Sequence, residues 1–293
     1  MRWDSGGGLQ HDFRGTPQRC IGTRPDGRVP VLAIDGKNEL RSLPFPAALL
    51  FVTTTPPRHY AARMPLIDTT PIPGGGELRL FRNGEHYVIK LADGGDLMST
   101  RQHGSEEALA QLACERIARR SCARVLVGGL GLGYTLAAAL RHLQADAEVT
   151  VAELVPGVVT WNRELLGNFA GNPLGDPRTR VHVGDVAELI LGGHQRWDAI
   201  LLDVDNGPDG LSQAANSRLY SVAGSRAAHA ALRAGGGSDT SPPGVLAVWS
   251  AHPDLRYTQR LQRSGLTVDE VQVRALGRRG MRHHIWLATR TGR

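Results

Sequence analysis

Lysine is nearly missing from this sequence: of 34 basic residues only Lys37 and Lys90 are lysines, and none follows position 90. A Walker-type phosphate loop needs a lysine after its glycines and a pyridoxal enzyme needs one for its Schiff base, so everything beyond Lys90 is barred from both chemistries. Cysteine is scarce as well. Cys20, Cys114 and Cys122 are odd in number and lack metal-ligand spacing, which argues for reduced thiols and against a disulfide framework or a zinc site. No run reaches the roughly 20 apolar residues of a membrane helix, and Pro46 to Val52 is too short and too far from Met1 for a signal peptide. The expectation is a soluble, cytoplasmic protein that uses no metal.

The formal charge of +6 invites a nucleic-acid partner, but its distribution argues otherwise. Residues 1–63 hold nine Arg or Lys against five Asp or Glu, a net of +4, which leaves +2 for the rest. With no basic stripe and no aromatic interleaving, the arginine bias does not describe a phosphate-binding surface. Neither nucleic acid nor membrane is expected as a partner, and a homodimer is left open.

Residues 1–63 are rich in Gly, Pro and Arg and carry no sustained period, so they read as a poorly structured N-terminal tail. Met64 is a second candidate start, which would make the upstream stretch a product of start-site choice. Residues 64–104 form a small β-hairpin module: short alternating runs between Glu77 and Leu97 are broken by Asn83-Gly84 and Asp93-Gly94-Gly95. The remainder, 105–293, opens with a helix from Ser105 to about Arg119, with Ser105 as N-cap and Glu106 and Glu107 at the positive end of its dipole. Apolar strands then alternate with amphipathic helices. Strands are expected at Val125–Gly129, Val149–Glu153, Val181–Asp185, Ala199–Asp203 and Val245–Ser250. Helices are expected at Tyr134–Leu143, Pro156–Leu165, Val186–Leu191, Ser217–Leu232 and Pro253–Ser264. Two further strands, Thr267–Arg274 and His283–Thr289, close the chain. This order predicts an α/β fold: a Rossmann-like, doubly wound, mostly parallel sheet with a terminal antiparallel hairpin.

The strongest chemical signal is the turn Gly128-Gly129-Leu130-Gly131-Leu132-Gly133 between a strand and a helix, where a cofactor can approach the backbone and meet oriented N–H groups. Glu153 ends the next strand, 20 residues after Gly133, where an acid accepts from both hydroxyls of a ribose. Asp185 and Asp203 end the third and fourth strands. All three acids therefore cluster at the carboxyl edge of the sheet, although each could instead cap a following helix or turn. The spacing of Gly129, Gly131 and Gly133 is G-x-G-x-G rather than the G-x-G-x-x-G of nicotinamide enzymes. That spacing goes with S-adenosylmethionine binding. His283 and His284 are neighbours on one strand and face opposite ways, so a packing or surface role is expected of them. Trp161, Trp197, Trp249 and Trp286 read as packing, with Trp161 or its neighbours as an alternative border for the adenine.

With these residues in place the chain resembles the spermidine-synthase-like family over roughly Glu77 to Thr289. The shared order is hairpins, helix, Gly-rich turn, Glu153, Asp176-Pro177-Arg178, Asp185 and Asp203. The resemblance adds decarboxylated S-adenosylmethionine as the other expected donor. It implies that the glycine turn and Glu153 hold a nucleoside sulfonium, that Asp185 reads the adenine amino group, and that Asp203 takes a proton from the attacking amine. It also makes Asp205, Asn206 and Tyr220 candidate acceptor contacts. Glu106 and Glu107 either meet a cationic acceptor from the opposite wall or only complement the dipole of the helix they open.

Two departures from the family bear on function. Its turn reads Gly-Gly-Gly-Asp-Gly-Gly, with the Asp helping to hold the donor's aminopropyl ammonium, and the matching residue here is Gly131. It also has Tyr-His-Glu where this chain has Ser105-Glu106-Glu107. The expectation is a transferase moving an aminopropyl group to a polyamine-type amine. The alternatives are methyl transfer to a small acceptor, a non-catalytic nucleoside-binding protein and, more distantly, a nicotinamide oxidoreductase.

Overall fold

Short runs of Val, Ile, Leu and Ala set between amphipathic stretches become strands and helices in the computed structural model. It describes residues 64–92, 96–204, 207–208, 216–237, 241–276 and 279–290, together with the backbone of two short strands nearer the N-terminus. Those strands, β1 (Leu32–Ile34) and β2 (Leu40–Ser42), pair antiparallel within a unit of their own, Met1–Ala61. The expected tail otherwise lies outside the described residues. The second unit, Ala62–Arg293, holds everything that follows.

The hairpin signals produce a four-stranded antiparallel meander: β3 (Leu66–Pro71), β4 (Glu77–Asn83), β5 (His86–Leu91) and β6 (Asp96–Ser99), in that spatial order. Alternation along β4 buries Leu78 and Leu80, and β5 adds Ile89 to the same core. After helix α1 (Gly104–Ile117) comes β7 (Arg124–Gly128), helix α2 (Tyr134–His142), β8 (Glu148–Glu153), helix α3 (Pro156–Trp161) and β9 (Thr179–Val183). Helix α4 (Val186–Leu191), β10 (Ala199–Leu202), helix α5 (Val222–Ala231), β11 (Val245–Ser250) and helix α6 (Leu255–Arg263) follow. The chain closes with β12 (Leu266–Leu276) and β13 (Arg279–Arg290).

The large sheet has the order β12-β13-β11-β10-β7-β8-β9. Strands β7 to β11 run parallel, while β13 pairs antiparallel with β11 and β12 with β13. Period-two alternation sends Val125, Val127, Val149, Val151 and Leu201 to one face, where they pack with α1 and α2. Leu126, Ile200, Leu202, Leu246 and Val248 go to the other, under α4, α5 and α6. The doubly wound sheet with its terminal hairpin is the architecture expected.

Two polar devices lock the frame. At the amino end of β10, Asp198 is fully buried and accepts from the Arg124 N–H at 2.8 Å. It also meets Arg120 at 2.7 Å and Arg233 at 3.3 Å, so its charge is compensated on several sides. Helix α3 packs against β3. A Cβ at Gly157 would lie 2.2 Å from Thr70 Oγ1, and Trp161 Nε1 donates to Asp68 Oδ2 at 2.7 Å.

Several boundaries differ from expectation for local reasons. Ser105 is not the N-cap of α1: His103 holds that position without a side-chain cap bond, and Ser105 is buried inside the first turn with its hydroxyl engaged elsewhere. The long helix expected over Ser217–Leu232 is a 3-10 turn at Asn216–Arg218 followed by α5, because Ser221 accepts from the Gly224 N–H and starts a new helix. Helix α3 runs on through a π turn, Asn162–Leu166. Strand β9 stops at Val183, short of Asp185. Among the described residues no helix is long and apolar enough to cross a membrane.

Candidate active site

Strand β7 lies between β8, which its own connection reaches, and β10, which the chain reaches only later, so the order reverses at β7. Open α/β sheets bind ligands outside the carboxyl ends of strands at such a reversal. Here a cleft of about 210 Å³ opens at that point, lined on one side by Gly129 to Leu132, Glu153, Asp185 and Asp203. The small sheet supplies the opposite wall with Ile72, Leu78, Leu91, Leu97 and Met98, all apolar.

Asp203 follows β10 directly, and its placement depends on Gly129. The Asp203 N–H donates to Gly128 O at 2.9 Å, and a Cβ at Gly129 would lie 2.3 Å from the Asp203 carbonyl oxygen. The left-handed backbone of Gly129 (φ 88°) thus lets the two loops cross in contact. Thr135, in the first turn of α2, donates its hydroxyl to Asp203 Oδ2. Burial pushes the Asp203 carboxyl up to about 6, against the opposing effect of the Thr135 bond. Glu106, from α1, lines the same cleft and is pushed up to about 7, first by burial and then by the charge of Asp203. The charge of Asp203 thus adds to burial in keeping the Glu106 carboxyl protonated close to neutral pH.

The donor end is organised by Glu153. Its Oε2 accepts from the Leu130 N–H and its Oε1 from the Val155 N–H, each at 2.9 Å. Burial raises its carboxyl, and these backbone bonds oppose the rise. A carboxylate offers about four lone-pair directions, so Glu153 can shape the glycine turn and still accept from ligand hydroxyls. Asp185 caps α4 by accepting from the Ala187 N–H at 2.8 Å, and it also lines the cleft. Gly131 is left-handed (φ 52°), and among the described residues the atoms near a Cβ there belong to Met98, with Sδ at 3.2 Å. Gly133 sits at the N-cap of α2, and Asn162 Nδ2 donates to Gly131 O at 2.7 Å.

The other sequence-derived candidates are distributed differently. Asp205 and Asn206 lie outside the described residues. Glu107 is on the outer side of α1, paired with Arg141 at 2.9 Å, and is not among the lining residues. Tyr220 is buried in the second core cluster, edge-on to Tyr257, and its hydroxyl donates to Val204 O at 2.9 Å. It supports the chain after Asp203 from behind rather than lining the cleft. Trp161 is a core residue, also away from the cleft. Sequence reasoning missed Thr135, Met98 and Trp249, all of which line the cleft. Thr135 alone left a signal, two residues beyond the last glycine of the turn. Among the described residues no group of His, Cys, Asp and Glu could hold a metal ion.

No protein-family profile matches the chain. Among curated proteins it is similar to polyamine aminopropyltransferase 2 of Hyperthermus butylicus, with 29% identity over 153 residues. That match covers 50% of this chain and 48% of the relative, about half the length of each. Among solved structures it is similar to a spermidine synthase in complex with the transition-state analogue AdoDATO, with a TM-score of 0.59 and 18% identity. It is likewise similar to the spermidine synthase of Thermotoga maritima, with a TM-score of 0.59 and 17% identity. Each alignment covers 76% of this chain and 72% of the other. The fold is therefore that of these proteins, and the resemblance to the spermidine-synthase-like family is borne out in sequence and in fold.

Proposed function

We propose that the cleft binds decarboxylated S-adenosylmethionine and transfers its aminopropyl group to a polyamine-type amine. The observation that carries this reading is the Glu106–Asp203 pair, two carboxyls on one cleft that the glycine turn and Glu153 also line. A cationic acceptor matches such a pair, whereas an anionic acceptor would be repelled. In this reading Glu153 accepts from the ribose hydroxyls, Asp185 meets the adenine and the apolar wall excludes water from the donor's sulfur.

An ammonium has no lone pair, so the acceptor must lose a proton before it attacks. Asp203, raised toward the working pH and steadied by Thr135, is suited to take it. The freed amine nitrogen then bonds to the donor carbon as the carbon–sulfur bond breaks, and the bonding pair returns to sulfur and discharges its positive charge. Because the leaving group is already activated, alignment and proton removal are the tasks left to the chain.

Gly131 favours a second reading. Where the resembled family has an acid for the donor's ammonium, this chain has the Met98 thioether, so nothing at that point repels the carboxylate of unmodified S-adenosylmethionine. Methyl transfer to an amine by the same Asp203 follows from that donor. Calorimetry with both donors, combined with identification of the released nucleoside, tests the proposal: methylthioadenosine is expected. Release of S-adenosylhomocysteine would replace aminopropyl by methyl transfer, and no binding of either donor would overturn both readings.

A further inference from the structure

The hydroxyl of Ser105 lies between two titratable groups. Its Oγ is 2.6 Å from Glu106 Oε2 and 2.8 Å from His283 Nδ1, and Ser105 and His283 are both buried. The three residues come from the first turn of α1 and from β13, so the fold alone brings them together. The imidazole is held edge-on by Trp249, with ring centroids 4.7 Å apart. Beyond it, His252 is exposed and lies within electrostatic reach of His283, as does His284. Hydrogen bonds thus run from Glu106 through Ser105 to His283, and Glu106 shares the cleft with Asp203, whose charge acts on it.

We propose that Ser105 and His283 form a proton exit that carries the acceptor's proton from the Glu106–Asp203 pair to solvent. The proposal rests on Asp203 taking that proton. When Glu106 is ionised, the Ser105 hydroxyl donates to it and accepts from the His283 Nδ1–H. When Glu106 is protonated, its O–H donates to Ser105 Oγ, and the Ser105 hydroxyl turns to donate to an unprotonated Nδ1. Both arrangements satisfy every group, and the second passes into the first when the Glu106 proton moves to Ser105 Oγ as the Ser105 proton moves to Nδ1. His283 takes it on Nδ1 and gives one up from Nε2, so one proton leaves per turnover, and exchange of the ring's protons with solvent then returns the Nε2–H tautomer that accepts the next. Burial and the neighbouring His252 and His284 lower the imidazole's affinity for a proton, which favours release over storage. The charged and titratable groups facing this line are Asp203, His103 and Tyr134 at the carboxyl end and His252 and His284 at the imidazole end. Ser105 and His283 touch no substrate in this scheme, so they are positioning residues acting through Glu106 and Asp203.

The test compares steady-state turnover of wild type, Asp203→Asn, Ser105→Ala, His283→Asn and His283→Ala, with donor affinity measured alongside. His283→Asn keeps an amide that can bond to Ser105 but cannot carry a proton. It is expected to lower kcat by about tenfold with donor affinity unchanged, as is Ser105→Ala. Free imidazole should restore much of the rate of His283→Ala. Wild-type kcat in His283→Asn and Ser105→Ala, alongside an inactive Asp203→Asn, would overturn the exit and leave the base in place. A kcat loss that comes with weakened donor binding and no imidazole rescue would make the contact merely structural and also overturn it. A fully active Asp203→Asn would instead overturn the base.

Discussion

Replacing Glu106 by Gln separates what the carboxyl pair does for chemistry from what it does to the fold. The Glu106 carboxyl is raised from its ordinary 4.5 to about 7, so the folded chain holds this proton more tightly than the unfolded chain. Stability contributed by the protonated form is complete below pH 4.5 and is lost as the pH climbs to about 7. At about 1.4 kcal/mol per pH unit the whole loss is roughly 3 kcal/mol. Water reaching the cleft side of this partly exposed group cuts that to about 1–2 kcal/mol. Gln keeps an acceptor for the Ser105 hydroxyl and removes the charge, so the substitution should stabilise the protein at pH 8. For a unit of this size that is a gain of about 2–8 °C in Tm. At pH 5 most of the loss has yet to occur, so the gain should shrink to about a quarter. Thermal unfolding of both proteins at the two pH values is the assay, with acceptor turnover measured in parallel and expected to fall. An equal Tm gain at pH 5 and pH 8, or a lower Tm at pH 8, would refute the reasoning.

Two further outcomes are expected. Gly131→Asp places an acid at a left-handed position that Asp tolerates, against only the flexible Met98 side chain, and should shift calorimetric selectivity toward the decarboxylated donor by about tenfold; an unchanged ratio would refute this. Asp198→Ala strands Arg120 and Arg233 at the far end of the sheet and should cost about 3–5 kcal/mol in urea unfolding; a loss under about 1 kcal/mol would show that the buried cluster holds little.

What was legible in the sequence was whatever repeats along the chain. Val186–Leu191 and Val245–Ser250 fall on the expected residues because apolar period and flanking turn residues agree there. The cluster of Gly129, Glu153, Asp185 and Asp203 was legible too, since parallel strands deliver their carboxyl ends to one edge. What stayed hidden depends on neighbours distant in the chain. Ser105 has the look of a helix cap, and only the arrival of β13, 178 residues later, gives its hydroxyl another partner. Tyr220 sits beside the acid-bearing loop in sequence, but packing on Tyr257 turns its ring into the core. The break before α5 was missed because apolar periodicity continues across Ser221 while the hydrogen bonds do not.

The contact of Gly157 and Trp161 with Thr70 and Asp68 has a consequence for protein engineering. Exchanging the antiparallel meander with that of a relative is an obvious route to a new acceptor preference, because that meander supplies the apolar wall of the cleft. The seam runs through α3, however, and admits no side chain at position 157. A chimera cut between residues 104 and 105 would split the interlock between two parents, leaving a clash at Thr70 or an indole N–H without Asp68. A transplant that carries α3 together with β3 keeps the seam whole, so the natural unit of exchange is discontinuous in the chain.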